Sequence, residues 1–410
     1  MNSISYHPPQ EILKKYAQVL VKYALNHGKG LKAGEVVMLR IPDIAKELGR
    51  ELRNEILRQG GHPMLRIYPT ELEADFYELA NEEQLTFFPS EYLKAQADLI
   101  DHNISVIGET DPNELSNTDP DKIMRAQVSV KQYRDWLMEK ENRNEFSWTA
   151  ALWGTQAGAD TVGLTLEEYW QQIIQACFLD EEDPVAKWQE LQRQQTTIKT
   201  TLDDMKIEKV HVVGPEVDLT IQIGADRVWR AGSGANIPSF EFFTTPNMNG
   251  TEGWIRFNQP LYHYGNVIEG IELHFEKGKV VKSSATKGEK VLKSMLAAPN
   301  AEMLGEFSLT DRRMSRITHV MAETLFDENI GGPHGNMHVA VGMAYKDCFR
   351  GDPSQLGADD WNAIGFNDSA VHTDIITTAE RTVTATLADG TEKVLYENGE
   401  FTFWRHQEHA

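Results

Sequence analysis

The chain has 410 residues, with 62 acidic against 40 basic side chains and a formal net charge of −22. That balance excludes a nucleic-acid binder, which needs a basic surface to release counterions, and disfavours adsorption to anionic membranes. An apolar share of 40% marks an ordinary globular protein, and the length suits two hydrophobic cores.

Residues 1–10 are polar and lack the regions of a signal peptide. Residues 10–27 place Ile12, Leu13, Tyr16, Val19, Leu20 and Tyr23 at helical spacing. After Gly34 the apolar run 35–41 has the length of a buried strand, and a helix over 44–59 stops at Gly60-Gly61. Residues 64–68 form the next strand, which makes a βαβ unit with parallel pairing. The stretch 99–108 repeats the pattern with a strand over 104–107, and helices follow at 166–178 and 184–205. Domain one, 1–205, is therefore expected to be α/β with a largely parallel sheet. Beyond residue 210 extended runs dominate, at 211–213 and 217–223, with a hairpin over 271–285 around Lys277-Gly278. Two more hairpin candidates fall within 381–401, with Asp389-Gly390 and Asn398-Gly399 as turns. With helices at 289–298 and 315–326, domain two, 206–410, is expected to be α+β. No window of the chain has the apolar length of a membrane span. The only cysteines, Cys177 and Cys348, are too few for a disulfide framework or a Cys-rich zinc site. A soluble, cytoplasmic protein is expected.

Chemistry concentrates in the second domain. His372 and Asp374 are two apart in the run 370–375, so on a strand they share a face. An imidazole beside a carboxylate suits a divalent metal, although the polar face of an edge strand has the same pattern. His338 heads the apolar run 338–345, where a structural histidine is equally at home. Tyr345 has the wrong parity to share its face on a straight strand and converges on it only if the chain turns after Gly342. Glu241 and Glu306 are flanked by apolar residues, where a buried carboxylate needs a metal or a cation as partner. Asp327-Glu328-Asn329 ends a helix and reads equally as a turn. Two histidines with three or more carboxylates and no cysteine form the donor set of a two-metal hydrolase, in which paired ions polarise a carbonyl and activate water.

The run Asn236-Ile237-Pro238-Ser239-Phe240-Glu241-Phe242-Phe243-Thr244-Thr245-Pro246 resembles the Asn-Ile-Pro…Glu-x-Phe-Thr-x-Pro segment of the aminopeptidase T/aminopeptidase S family of metallopeptidases. Leu304-Gly305-Glu306, Leu325 to Asn329, His338-x-Ala340-x-Gly342-x-Ala344-Tyr345 and His372-x-Asp374 follow in the order of that family. The resemblance is specific over 225–401 and weaker over the first 200 residues. It implies that Glu241, Glu306, His338, His372 and Asp374 ligate two divalent ions (zinc, cobalt, manganese or magnesium). It further implies that Tyr345 supports the tetrahedral intermediate, and that Glu306 bridges the ions or holds the water, with Asp374 as the other candidate bridge. Glu306 and Tyr345 are thus the expected catalytic residues, peptides the substrates, and a homodimer the assembly. Two features depart from the family pattern. Phe240 stands where many members have glycine, and the loop 330–337 is longer and contains His334. The role of Glu328 is therefore open, and His334 is a second candidate beside His338, which keeps the downstream Ala-x-Gly pattern. The donor set alone also fits another two-metal amidase, a carboxypeptidase, or a non-catalytic peptide-binding relative.

Overall fold

The computed structural model describes residues 6–404 except 264; the outermost residues of both expected domains, 1–5 and 405–410, lie outside the described residues. Two compact units emerge. The first holds the chain up to Gln194 together with Gly232–Ser239 and His319–Phe326. The second holds Gln195–Ala231, Phe240–Thr318 and the chain from Asp327 on. The division falls inside the helix Pro184–Met205, between Gln194 and Gln195.

The first unit is built on a parallel sheet. Its strands β1 (Val36–Pro42), β2 (His62–Tyr68), β3 (His102–Ile107) and β4 (Ser147–Leu152) are joined at the β4 edge by Asn236–Ile237, with β1 between β2 and β3. Strand β1 forms because its apolar run is covered on both faces, only Arg40 being exposed. The crossover helix Lys46–Arg58 buries Leu48, Leu52 and Ile56, one side chain per turn on one face. The helix expected over 10–27 is interrupted. Regular α-helix covers Gln10–Val19, a π-turn follows at Leu20–Ala24, and Asn26 and His27 take φ of 53° and 56°. The Asn26 amide stabilises that bend by donating to the Gly30 carbonyl at 2.9 Å. The helices Glu73–Leu79 and Lys131–Asn142 were not expected from the sequence; neither fully buries a side chain, and the second packs half-buried Leu137 against Met38, Ile100 and Phe146.

Among the described residues, the second unit contains two large antiparallel sheets and a two-stranded ladder of Leu261–His263 with Asn266–Ile268. The larger has eight strands in the order Lys279–Ser284, Glu272–Glu276, Thr251–Arg256, Val217–Gln222, Ile207–Gly214, Thr382–Leu387, Glu392–Glu397 and Glu400–Phe401. The hairpin expected at 271–285 is present, and its turn residues Lys277 and Gly278 have φ of 50° and 81°, as a two-residue hairpin loop requires. The helix expected over 315–326 does not form; only Thr324–Asp327 is helical. Ser315 diverts the backbone there, its hydroxyl accepting from Ile317 N–H at 3.1 Å and donating to the Asn329 carbonyl at 2.5 Å.

The smaller sheet has strands β5 (Glu241–Thr244), β6 (Leu304–Thr310), β7 (Asn336–Gly342) and β8 (His372–Thr377), ordered β8-β7-β6-β5. Strands β6 and β7 are buried along their whole length. Phe242, Phe307, Leu309, Val339 and Ile375 make the apolar core of one face. The opposite face is where the polar residues gather. Together the parallel first unit and the α+β second unit have the two-domain fold class expected from the sequence.

Candidate metal centre

Strand register alone brings five dispersed residues to one face. Residues paired across an antiparallel ladder project to the same side, and side chains alternate along each strand. Ser308 pairs with His338 and with Phe243, which places Glu306, His338, Glu241 and Phe243 on a common face. Ala340 pairs with Asp374 and Gly342 with His372, which adds the His-x-Asp pair to that face. All five metal candidates from the sequence therefore converge, although they are scattered over four strands.

Contact geometry is tight. His338 Nε2 lies 3.0 Å from Glu306 Oε1, 3.4 Å from Glu241 Oε2 and 3.8 Å from Asp374 Oδ1. His372 Nε2 lies 3.6 Å from Glu306 Oε2 and 3.8 Å from the same Asp374 oxygen. His372 Nδ1–H donates to the Met343 carbonyl at 2.8 Å, which fixes the tautomer and leaves the Nε2 lone pair facing the carboxylates. Burial is graded: side-chain exposure is 1% at His338 and 5% at Glu306, rising to 15% at His372 and 16% at Asp374. The face thus opens towards His372 and Asp374.

Two glycines shape this geometry. Gly305 sits at a bulge where the β6–β7 register shifts, and a Cβ there would stand 2.0 Å from the Met343 carbonyl oxygen. Its lack of a side chain thereby leaves room for the carbonyl that orients His372. Gly342 ends β7 at φ 101°, and a Cβ there would meet the Val371 carbonyl at 2.1 Å. The chain turns after it, and the Tyr345 ring arrives 4.8 Å from the His372 ring, edge to face, and 5.8 Å from Phe243.

Electrostatics point to a cation. Glu306 and Asp374 are held close together, and among the described residues their only ion-pair partners are the two imidazoles. Burial pushes the Glu306 carboxyl up to about 8, and the neighbouring Asp374 charge adds to the shift. Asp374 Oδ1 is buried without a hydrogen-bond partner. Carboxylates so placed are costly without a compensating charge, and a divalent ion supplies it. Three sets of potential donors lie within 4.8 Å: Glu241, Glu306 and His338; Glu306, His372 and Asp374; and Glu328, His338 and Asp374. The donor chemistry fits a metal centre, and Glu306 belongs to two of the sets.

Glu328 is the residue that sequence reading left open. It is 4% exposed, directly after the short helix Thr324–Asp327, and stands with His338 and Asp374. The signal was its burial, which a three-residue polar string does not disclose. His334 joins no such set among the described residues; its carbonyl accepts from the Tyr396 hydroxyl at 3.4 Å.

Comparison with known proteins finds relatives over nearly the whole chain. The sequence profile of the family described as thermophilic metalloprotease (M29) matches residues 9–401. Aminopeptidase T of Thermus thermophilus is 30% identical over 414 aligned residues, which cover 95% of this chain and 99% of that one. Aminopeptidase 2 of Geobacillus stearothermophilus is 27% identical, over 95% of this chain and 98% of its own. Among solved structures, wild-type AmpT from Thermus thermophilus superposes with a TM-score of 0.79 at 27% identity, covering 96% of this chain and 99% of that chain.

Proposed function

The chain belongs to the thermophilic metalloprotease (M29) family and is a metallo-aminopeptidase, and from that premise we propose that it releases N-terminal amino acids from peptides with water activated at two divalent ions. The observation that carries the two-ion reading is that the donors fall into overlapping sets, with Glu306, His338 and Asp374 each belonging to two. Glu241, Glu306, His338, His372 and Asp374 would hold the ions, with Glu328 as a further donor. Such ions supply Lewis acidity to the scissile carbonyl and lower the pKa of a water. Zinc, cobalt and manganese suit the imidazole donors better than magnesium does, which prefers oxygen.

The remaining steps belong to the side chains. Glu306 takes the proton released by the attacking water and returns it to the leaving amine nitrogen. The Tyr345 hydroxyl donates a hydrogen bond to the oxyanion of the tetrahedral intermediate, an interaction made fully only as charge develops. The rings of Phe243 and Tyr345 limit water beside the site.

We further infer a homodimer in the cytoplasm, with the domain 1–205 shaping access and assembly. Exposed Leu65, Ile67, Phe76, Leu79 and Phe87 in the first unit support packing against a second copy. Cys177 and Cys348 are free and buried, in keeping with a reducing compartment, and no helix among the described residues is long and apolar enough to cross a membrane. Elemental analysis of chelated protein reloaded with cobalt or zinc tests the two-ion reading. Uptake of two equivalents per chain is expected, and saturation at one would contradict it.

A further inference from the structure

We propose that Arg230 and Asp347 form a positioning pair that holds Tyr345 in its working place; the inference rests on Tyr345 acting on the reacting carbonyl. Aromatic contacts with His372 and Phe243 set the depth of the Tyr345 ring but do not fix the turn Lys346–Cys348 that follows it. That turn is tied down from the other side. The Thr245 hydroxyl donates to the Tyr345 carbonyl at 3.2 Å, and Val228 N–H donates to the Cys348 carbonyl at 2.8 Å. Between these two ties, Arg230 Nη2 donates to the Asp347 carbonyl, and Nε lies 3.1 Å from Asp347 Oδ2.

Arg230 is itself anchored. Its N–H donates to the Phe243 carbonyl at 2.7 Å, and its carbonyl accepts from Phe243 N–H at 3.0 Å. Phe243 belongs to β5, the strand that begins with Glu241. One guanidinium therefore links the strand that carries a candidate metal ligand to the turn that carries the tyrosine. The guanidinium donates to a main-chain oxygen through Nη2 while Nε stays within ion-pair range of the carboxylate without hydrogen-bonding it, a spread that a lysine ammonium on a flexible stem matches less well. The two side chains are 33% and 41% exposed, so the pair contributes little to overall stability. Its consequence is geometric.

The test is a double-mutant cycle on the metal-loaded enzyme with an aminoacyl p-nitroanilide. It compares Arg230→Gln, Tyr345→Phe and the double variant, with bound metal and melting temperature measured for each. Arg230→Gln is expected to lower kcat about tenfold with KM and metal content unchanged, as a displaced catalytic group should. It is expected to add nothing once Tyr345 is phenylalanine, and Arg230→Lys should restore part of the loss. Additive losses in the double variant would overturn the pairing while leaving the role of Tyr345 intact. Wild-type turnover in Tyr345→Phe would overturn that role and the pairing with it. If Arg230→Gln does not fold or load metal, the same cycle with Asp347→Asn decides by the same criterion.

Discussion

Glu306 turns one carboxylate oxygen to each of two imidazoles: Oε1 lies 3.0 Å from His338 Nε2, and Oε2 lies 3.6 Å from His372 Nε2. Asp374 also lies near both histidines, but through the single atom Oδ1. Replacement by glutamine keeps the shape but removes the charge and one acceptor oxygen. Glu306→Gln should lower kcat by at least about 100-fold, a size typical of a lost general base, with the fold intact. Normal turnover at normal metal content would contradict its assignment.

The raised carboxyl of Glu306 also gives the metal-free protein a pH signature. The folded state keeps a proton up to about 8, whereas the unfolded chain releases it near 4.5. Between those values the folded state binds more protons, so stability falls as pH rises, and the loss is complete above the folded value. Chelated wild type should therefore lose stability relative to chelated Glu306→Gln across that interval, and the two should agree on its acid side. Denaturant midpoints along a pH series check this; parallel curves would contradict it.

Glu328 and His334 separate cleanly. Glu328 stands with His338 and Asp374, whereas His334 stands with no such group among the described residues. Glu328→Gln should weaken metal binding about 10–100-fold, comparable to loss of a group in the coordination environment. His334→Ala should leave it unchanged. Competition with a chromophoric chelator measures both, and the reverse ranking would move the ligand set into the loop 330–337.

Gly305 acts on His372 at one remove. An added methyl would meet the Met343 carbonyl at 2.0 Å, the same oxygen that takes the His372 Nδ1 proton. Gly305→Ala should cost about 1–3 kcal/mol of stability through overpacking. It should also weaken the ion held by His372, which metal titration detects. An unchanged metal affinity would show that the carbonyl does not orient the ring.

Much of this site was legible in the sequence because period-two alternation is a local property. His372 and Asp374 were expected on one face, and the β7–β8 ladder puts them there. For Tyr345 parity gave only a condition, that it joins the site if the chain turns after Gly342, and plain packing was an equal reading; in the structure its ring meets that of His372. Long-range pairing was not legible. Nothing local indicates that β5 pairs with β6, or that a bulge at Gly305 re-aims Glu306. The expected helix over 315–326 failed for a related reason, since the partner that draws Ser315 away, the Asn329 carbonyl, is distant in sequence. A largely exposed helix such as Glu73–Leu79 left no stripe to read.

The most direct test of the central claim compares aminoacyl amides with their N-acetylated counterparts, using chelated protein with and without cobalt, zinc or manganese. Metal-restored cleavage of the free-amine substrates alone is the predicted result. Cleavage of the blocked substrates, or no cleavage with any metal, would contradict an aminopeptidase.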